Sequence, residues 1–257
     1  MGFLSDLVAQ LRSELAQRPP DEAALRAAVA SAPAVRNFEA ALRAPGVAVI
    51  AEVKRSSPSA GAIAETDPGE RAAVYERGGA AAISVLTEPD HFGGSLDDLR
   101  AARRTTDLPL LRKDFLIAPA QLSESRAAGA DAVLLITASV SDDELSSLLQ
   151  AAKELELSTL VEAHSEDDLE RSLAAGASIV GVNARDLETL EVDEGRALRL
   201  LERVPSDRVR VFESGIASRA QVERAVDAGA DAVLVGEHLM RATDPGAAIA
   251  ELRGSAS

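Results

Sequence analysis

The chain is 257 residues long, 46% hydrophobic, and carries 42 acidic against 27 basic side chains, a net charge of −15 at pH 7. That length can bury one large core, and that charge repels both nucleic-acid phosphates and anionic membrane surfaces, so neither partner is expected. The absence of cysteine excludes disulfides, thiolate nucleophiles and cysteine-ligated metals.

Residues 1–45 open with FLSDLVAQLRSEL, which spaces Phe3, Leu7 and Leu11, and Val8 and Leu15, on neighbouring turns; this predicts an amphipathic helix packed on the main body. DEAALRAAVA at 21–30 predicts a second helix before Pro33. The segment is too short to bury its own core and reads as a helical extension of the same domain. It shows no basic leader, and no apolar run in the chain approaches the ~20 residues that span a bilayer, so a cytoplasmic protein is expected.

Four later segments resemble one another: GGAAAISVL (78–86), AGADAVLLI (128–136), AGASIVGVN (175–183) and AGADAVLVG (228–236). Their marker glycines, Gly79, Gly129, Gly176 and Gly229, recur at steps of 50, 47 and 53 residues, an internal period. Each glycine ends a helical stretch and leads into a short apolar run. Between these lie VAVIAEV (47–53), LPLLRKDF (108–115), STLVEAH (158–164) and RVRVFESG (208–215). Eight apolar strands separated by helices, without alternating polar faces, predict parallel strands covered by helices. Eight such units close as an α/β fold, a (β/α)8 TIM barrel over 46–252, with a short polar tail at 253–257. An open doubly wound sheet is the competing arrangement, weakened because no GxGxxG follows the first strand.

A parallel barrel delivers the C-terminal end of every strand to one rim. Period-two alternation puts Glu52 and Lys54 on the interior face of strand 1, and Leu111, Lys113 and Phe115 together on strand 3. Strand 5 brings Glu162, strand 6 Asn183 and Arg185, and strand 7 Glu213, Ser214 and Gly215. Only three lysines exist in the chain, and two of them, Lys54 and Lys113, fall at this rim. Lysine can surrender a proton where arginine cannot, so a lysine beside a carboxylate suits acid–base work. The competing reading is a structural Lys–Glu pair closing the barrel top. ESGIAS (213–218) and VGEHLM (235–240) each place a glycine before a helix start, as in the phosphate sites built from the last two loops of such barrels.

Elsewhere, His91, His164 and His238 show no metal-ligand spacing and read as surface or hydrogen-bonded residues. EPDHFGGS (88–95) reads equally as a substrate-side loop or a plain connector. The acidic runs SDDEL and SEDDLE read as helix N-termini, and Asp114 as a structural neighbour of Lys113. Scarce lysine, abundant Asp and Glu and many Ala together predict adaptation to high salt.

The motifs EVKRSSPSAG, LRKDF, VEAHS, GVNARDLETL, FESGI and VGEHLM, in this order, resemble indole-3-glycerol-phosphate synthase over about residues 3 to 250. The resemblance implies a carboxy-lyase of tryptophan biosynthesis that closes an anthranilate-derived ribulose phosphate to indole-3-glycerol phosphate with loss of carbon dioxide and water. It implies Lys113 as general acid, Glu162 as base, Lys54 as ion-pairing and proton-transfer partner, Glu52 as the residue holding the lysines, and Asn183 as an orienting amide. Arg185 would face the substrate carboxylate region, and Phe115 would pack on its aromatic ring. Ser57, Glu213 and Ser214 match substrate positions, and Lys54, Gly215, Gly236 and Glu237 phosphate-side positions. Glu237 stands where some relatives carry serine, so its side chain is expected to turn away from the phosphate. No metal or organic cofactor is implied, and a monomer or weak homo-oligomer is expected. Phosphoribosylanthranilate isomerase-like barrels are the nearest rivals, but they lean on a cysteine that this chain lacks; a noncatalytic sugar-phosphate-binding barrel would not need Lys54, Lys113 and Glu162.

Overall fold

A computed structural model describes residues 2–58, 61–64 and 66–254. Most of the expected polar tail, from residue 255, lies outside them, as do Ser59 and Ala60 of the first motif. The eight apolar runs form eight strands: β1 (Ala48–Val53), β2 (Ala82–Leu86), β3 (Leu110–Lys113), β4 (Ala132–Ile136), β5 (Ser158–Ala163), β6 (Ile179–Asn183), β7 (Val209–Glu213) and β8 (Ala232–Val235). All pairings are parallel, and β1 pairs both with β2, through Ile50 opposite Ala82, and with β8, through Ala48 opposite Ala232. The sheet therefore closes, and the open-sheet alternative falls.

Side-chain alternation divides two apolar layers. Ile50, Leu111, Leu134, Leu160, Ile179 and Val211 fill the cylinder, while Val49, Val85, Val133, Val161, Val180 and Val233 face the helices. The helices following β1 to β4 are α4 (Pro68–Arg77), α5 (Leu96–Arg103), α6 (Pro119–Ala127) and α7 (Asp142–Glu154). After β5 to β8 come α8 (Glu166–Ala174), α9 (Glu194–Leu201), α10 (Arg219–Asp227), the short α11 (Glu237–Arg241) and α12 (Pro245–Arg253). Ser141 and Ser165 cap α7 and α8, with the acidic runs in the first turns as expected. The four marker glycines have φ between 87° and 99°, the left-handed region in which a side chain would be strained, and each turns the chain from a helix end toward the next strand.

Before the barrel, α1 (Phe3–Gln17), α2 (Glu22–Ala30) and α3 (Phe38–Leu42) run from one pole to the other. The α1 helix lies at the C-terminal mouth: Phe3 meets the Phe115 ring, Ser5 Oγ donates to Glu188 Oε1 at 2.7 Å, and Arg12 pairs with Glu144 at the start of α7. Helix α2 packs on α6. The α3 turn, capped by Asn37, places fully buried Phe38 and Leu42 in the interior layer at the strands' N-terminal end. This floor-closing turn was not predicted, because five residues carry too little periodicity to announce a helix.

Candidate active site

The expected convergence of strand-end side chains lies around a cavity of about 390 Å³ at the C-terminal mouth. Glu52, Lys54, Lys113, Phe115, Glu162, Asn183, Arg185, Glu213, Ser214, Gly215, Gly236 and Glu237 all line it. Ser57 does not: it is buried in a short ribbon, Ser56–Ser57 against Gly61–Ala62, that follows β1.

Alternation on four strands builds the cavity floor. Lys113 Nζ stands 3.5 Å from Glu162 Oε2 and 3.7 Å from Glu213 Oε2, and Lys54 Nζ stands 2.8 Å from Glu52 Oε1. Glu162 and Glu213 are almost wholly buried, and their carboxylate oxygens receive no well-aligned hydrogen bond from the protein. Gly181 on β6 makes this packing possible, since a Cβ there would lie 2.2 Å from Glu213 Oε1.

The electrostatics separate the two carboxyl groups. Burial pushes both toward the neutral form, but at Glu162 the Lys113 ammonium and His164 outweigh it and hold the group below the usual carboxylate range. At Glu213, burial and the nearby Glu162 charge prevail over Lys113, raising it well above that range. Burial opposes the Lys113 charge too, yet Glu162, Glu213 and Glu52 keep its pKa above the ordinary lysine value. Partial burial thus does not loosen the Lys113 proton; the carboxylates retain it, and it is available to a developing oxyanion. A carboxyl held low, a second one pushed up and an ammonium between them can give and take protons within a single cavity.

Aromatic surface gathers on one wall. Phe92 and Phe115 line it, their ring centroids 6.3 Å apart, and Phe3 backs Phe115 at 6.3 Å from outside the lining. Phe92 belongs to the EPDHFGGS loop, which is tied down: Glu88 accepts from the backbone N–H groups of Asp90, His91 and Phe92, and Arg55 donates to Gly93 O. The aromatic residue in that glycine-rich segment was the available signal for Phe92, which sequence reasoning left unassigned. Asn183 Oδ1 accepts from Arg185 N at 2.9 Å, so the amide nitrogen is the group it can offer a ligand, and Arg185 Nη1 donates to Leu190 O.

The β7 and β8 ends form the opposite wall. Gly236 directly precedes α11, as expected. Gly215 does not open a helix: Ser214 and Gly215 both have positive φ, 70° and 78°, and the turn continues to Ser218 before α10 begins. The two left-handed residues spend the chain's reversal in a loop, with buried Ile216 anchoring it. Glu237 Oε1 pairs with Arg241 Nε at 3.0 Å along α11, so its charge is compensated at the rim. Asp114 binds Arg112 and Thr87, the structural position expected of it. Among the described residues, no group of three or more His, Asp or Glu is arranged to hold a metal ion, and no helix is long and apolar enough to cross a membrane.

The sequence model of the family described as indole-3-glycerol phosphate synthase matches residues 4–252. A protein of that name from Rhodococcus jostii is 48% identical over 255 residues, covering 98% of this chain and 95% of the relative. Another of the same name from a Nocardioides species is 51% identical over 257 residues, with 99% of each covered. Among solved structures, 3-hexulose-6-phosphate synthase superimposes with a TM-score of 0.63 at 20% identity, over 82% of this chain and 100% of that one, a likeness of fold alone.

Proposed function

The chain belongs to the indole-3-glycerol phosphate synthase family, and from that premise we propose how its residues divide the reaction. The enzyme converts 1-(2-carboxyphenylamino)-1-deoxyribulose 5-phosphate to indole-3-glycerol phosphate, carbon dioxide and water, as a carbon–carbon lyase. The ring carbon bearing the carboxylate attacks the ketose carbonyl carbon; the carbonyl electron pair moves to oxygen, which takes a proton from the Lys113 ammonium. Carbon dioxide then leaves, and its bonding pair restores the aromatic ring. In dehydration the new hydroxyl departs as water with a proton from the lysine pair, while Glu162 accepts the proton lost as the pyrrole double bond forms.

The observation that supports these roles best is the position of Lys113 at the cavity floor, 3.5 Å from Glu162, whose carboxyl is held low, and 3.7 Å from Glu213, whose carboxyl is pushed up. Glu52 holds Lys54, and Asn183 orients the hydroxyls. Arg185 faces the substrate carboxylate, and Phe115 with its neighbour Phe92 packs on the aromatic ring. Ser214 and Glu213 complete the substrate wall, and Lys54 with the backbone of Gly215, Gly236 and Glu237 takes the phosphate. Ser57 reaches substrate only if its ribbon folds over the mouth. The test is indole-product fluorescence with wild type and Lys113→Ala, where turnover is expected to fall ~10²-fold or more; an unchanged rate would remove Lys113 from its role.

The phosphorylated substrate cannot cross a bilayer, which supports action in the cytoplasm, with neither nucleic acid nor membrane as partner. A monomer or weak homo-oligomer belongs to the same reading. Salt adaptation is part of the same proposal, supported by the net charge of −15 and the three lysines.

A further inference from the structure

Lys113 is nearly equidistant from two carboxylates and cannot by itself decide which one carries a proton. One nearby group touches only one of them. His164 lies two residues after Glu162, on the same face of β5's end, and its Nε2 stands 3.1 Å from Glu162 Oε1. It is almost buried, at 9% exposure, and lies behind Glu162, outside the cavity lining. Glu162 is therefore held from both sides, Oε1 by His164 and Oε2 by Lys113, whereas Glu213 meets Lys113 alone among these two cations.

The backbone that carries the imidazole is anchored. The His164 N–H donates to Asp168 Oδ2 at 3.1 Å, and its carbonyl accepts from Arg196 Nη1 at 2.8 Å. Ser165 N binds the same Asp168 oxygen, so the strand end is tied to α8 and α9 on both sides. This anchoring fixes the backbone from which the ring reaches one carboxylate oxygen.

We propose that His164 is a positioning residue that breaks the symmetry of the Glu162–Glu213 pair, keeping Glu162 ionised as the base and leaving the shared proton on Glu213. This rests on the assignment of Glu162 as base in the proposed reaction. An imidazole with its proton on Nε2 turns the positive end of its N–H dipole toward Oε1 at 3.1 Å and so stabilises the anionic form, although the two are not aligned as a full hydrogen bond. Removing it leaves two like buried carboxylates competing for one ammonium, and the proton then spends part of its time on Glu162. The charged groups that bear on this balance are Lys113 and Glu52 from β3 and β1, Glu213 from β7, and Asp168 and Arg196 at the His164 backbone.

The experiment compares wild type with His164→Leu, His164→Gln and Glu162→Gln in steady-state kinetics from pH 5 to 9, with a melting curve for each variant. His164→Leu is expected to lower kcat about 10-fold with KM within about twofold, and to move the acidic limb of kcat to higher pH. His164→Gln, which restores an N–H donor near the Nε2 position without a titrating ring, is expected to recover most of kcat and the wild-type limb. Folded His164→Leu with wild-type kcat and limb overturns the inference while an inactive Glu162→Gln leaves the base assignment standing. Equal loss in the Leu and Gln variants overturns it as well, because a donor would then not be what matters. An active Glu162→Gln removes the base assignment and the inference together.

Discussion

Lys54 reaches back along its own strand to Glu52, Nζ to Oε1 at 2.8 Å, and the backbone of Gly236 passes close against the pair. A Cβ at Gly236 would lie 2.3 Å from Glu52 Oε1 and 3.2 Å from Lys54 Nζ, although the glycine's φ of −115° is open to any residue. Gly236→Ala therefore displaces the ion pair without straining the backbone. Steady-state kinetics on the variant are expected to show kcat/KM reduced by up to ~10²-fold, the scale of a misplacement of about 1 Å. A wild-type value would mean that the pair has no fixed part in binding or chemistry.

Glu213 offers a pH prediction. A carboxyl raised in the fold stabilises the protein fully below the ordinary carboxylate range, and that contribution is lost as pH rises toward its elevated value. Glu213→Gln keeps the shape and removes the titration. The variant is expected to melt a few degrees above wild type near pH 8 and level with it near pH 4, about 1 kcal/mol corresponding to ~2–4 °C for a domain this size. Scanning calorimetry at the two pH values checks this; a gain of equal size at both would locate the effect in packing instead.

Asp131 tests the opposite pole. Its buried carboxylate accepts from Arg36 N at 2.8 Å and from Leu110 N at 2.7 Å and pairs with half-buried Arg103, stitching the N-terminal segment to β3 and β4. Asp131→Ala leaves a guanidinium and two N–H groups without their partner. The cost is expected to be ~3–5 kcal/mol, with kcat near wild type at 20 °C because the cavity is at the far end. Denaturant unfolding together with a turnover measurement distinguishes this from any catalytic role.

Salt dependence follows from the charge of −15. Self-repulsion of the acidic surface is screened within ~3 Å at molar salt against ~10 Å at 0.1 M. The melting temperature is expected to rise steadily from dilute buffer to molar potassium chloride. A flat response would remove the salt-adapted reading and leave the low lysine content without that explanation.

Much of the barrel was legible because two simple periodicities generate it. Parity along β1 and β3 put Glu52, Lys54, Lys113 and Phe115 on one side, and the glycines after α4, α6, α8 and α10 marked every second strand. Relations between remote segments were not legible. Nothing in the order of Phe3, Phe92 and Phe115 announces that a helix, a loop and a strand end bring their rings together. The different fates of Glu162 and Glu213 depend on distances of a few ångströms that no spacing encodes, and Ser57 turns aside because a ribbon intervenes after β1. Gly181 looked like part of a repeat, and its closeness to a carboxylate appears only once the cylinder has closed.

The first 42 residues also join what the barrel architecture normally keeps apart. Phe3 and Ser5 are seated over the mouth, while Phe38 and Leu42 are seated in the floor, with α2 fastened to the flank between them. A girdle fixed at both ends links the unfolding of roof to that of base, so a lesion beneath the cylinder is read in the melting of the whole molecule rather than in turnover well below it, and ligand held at the top in turn steadies the base.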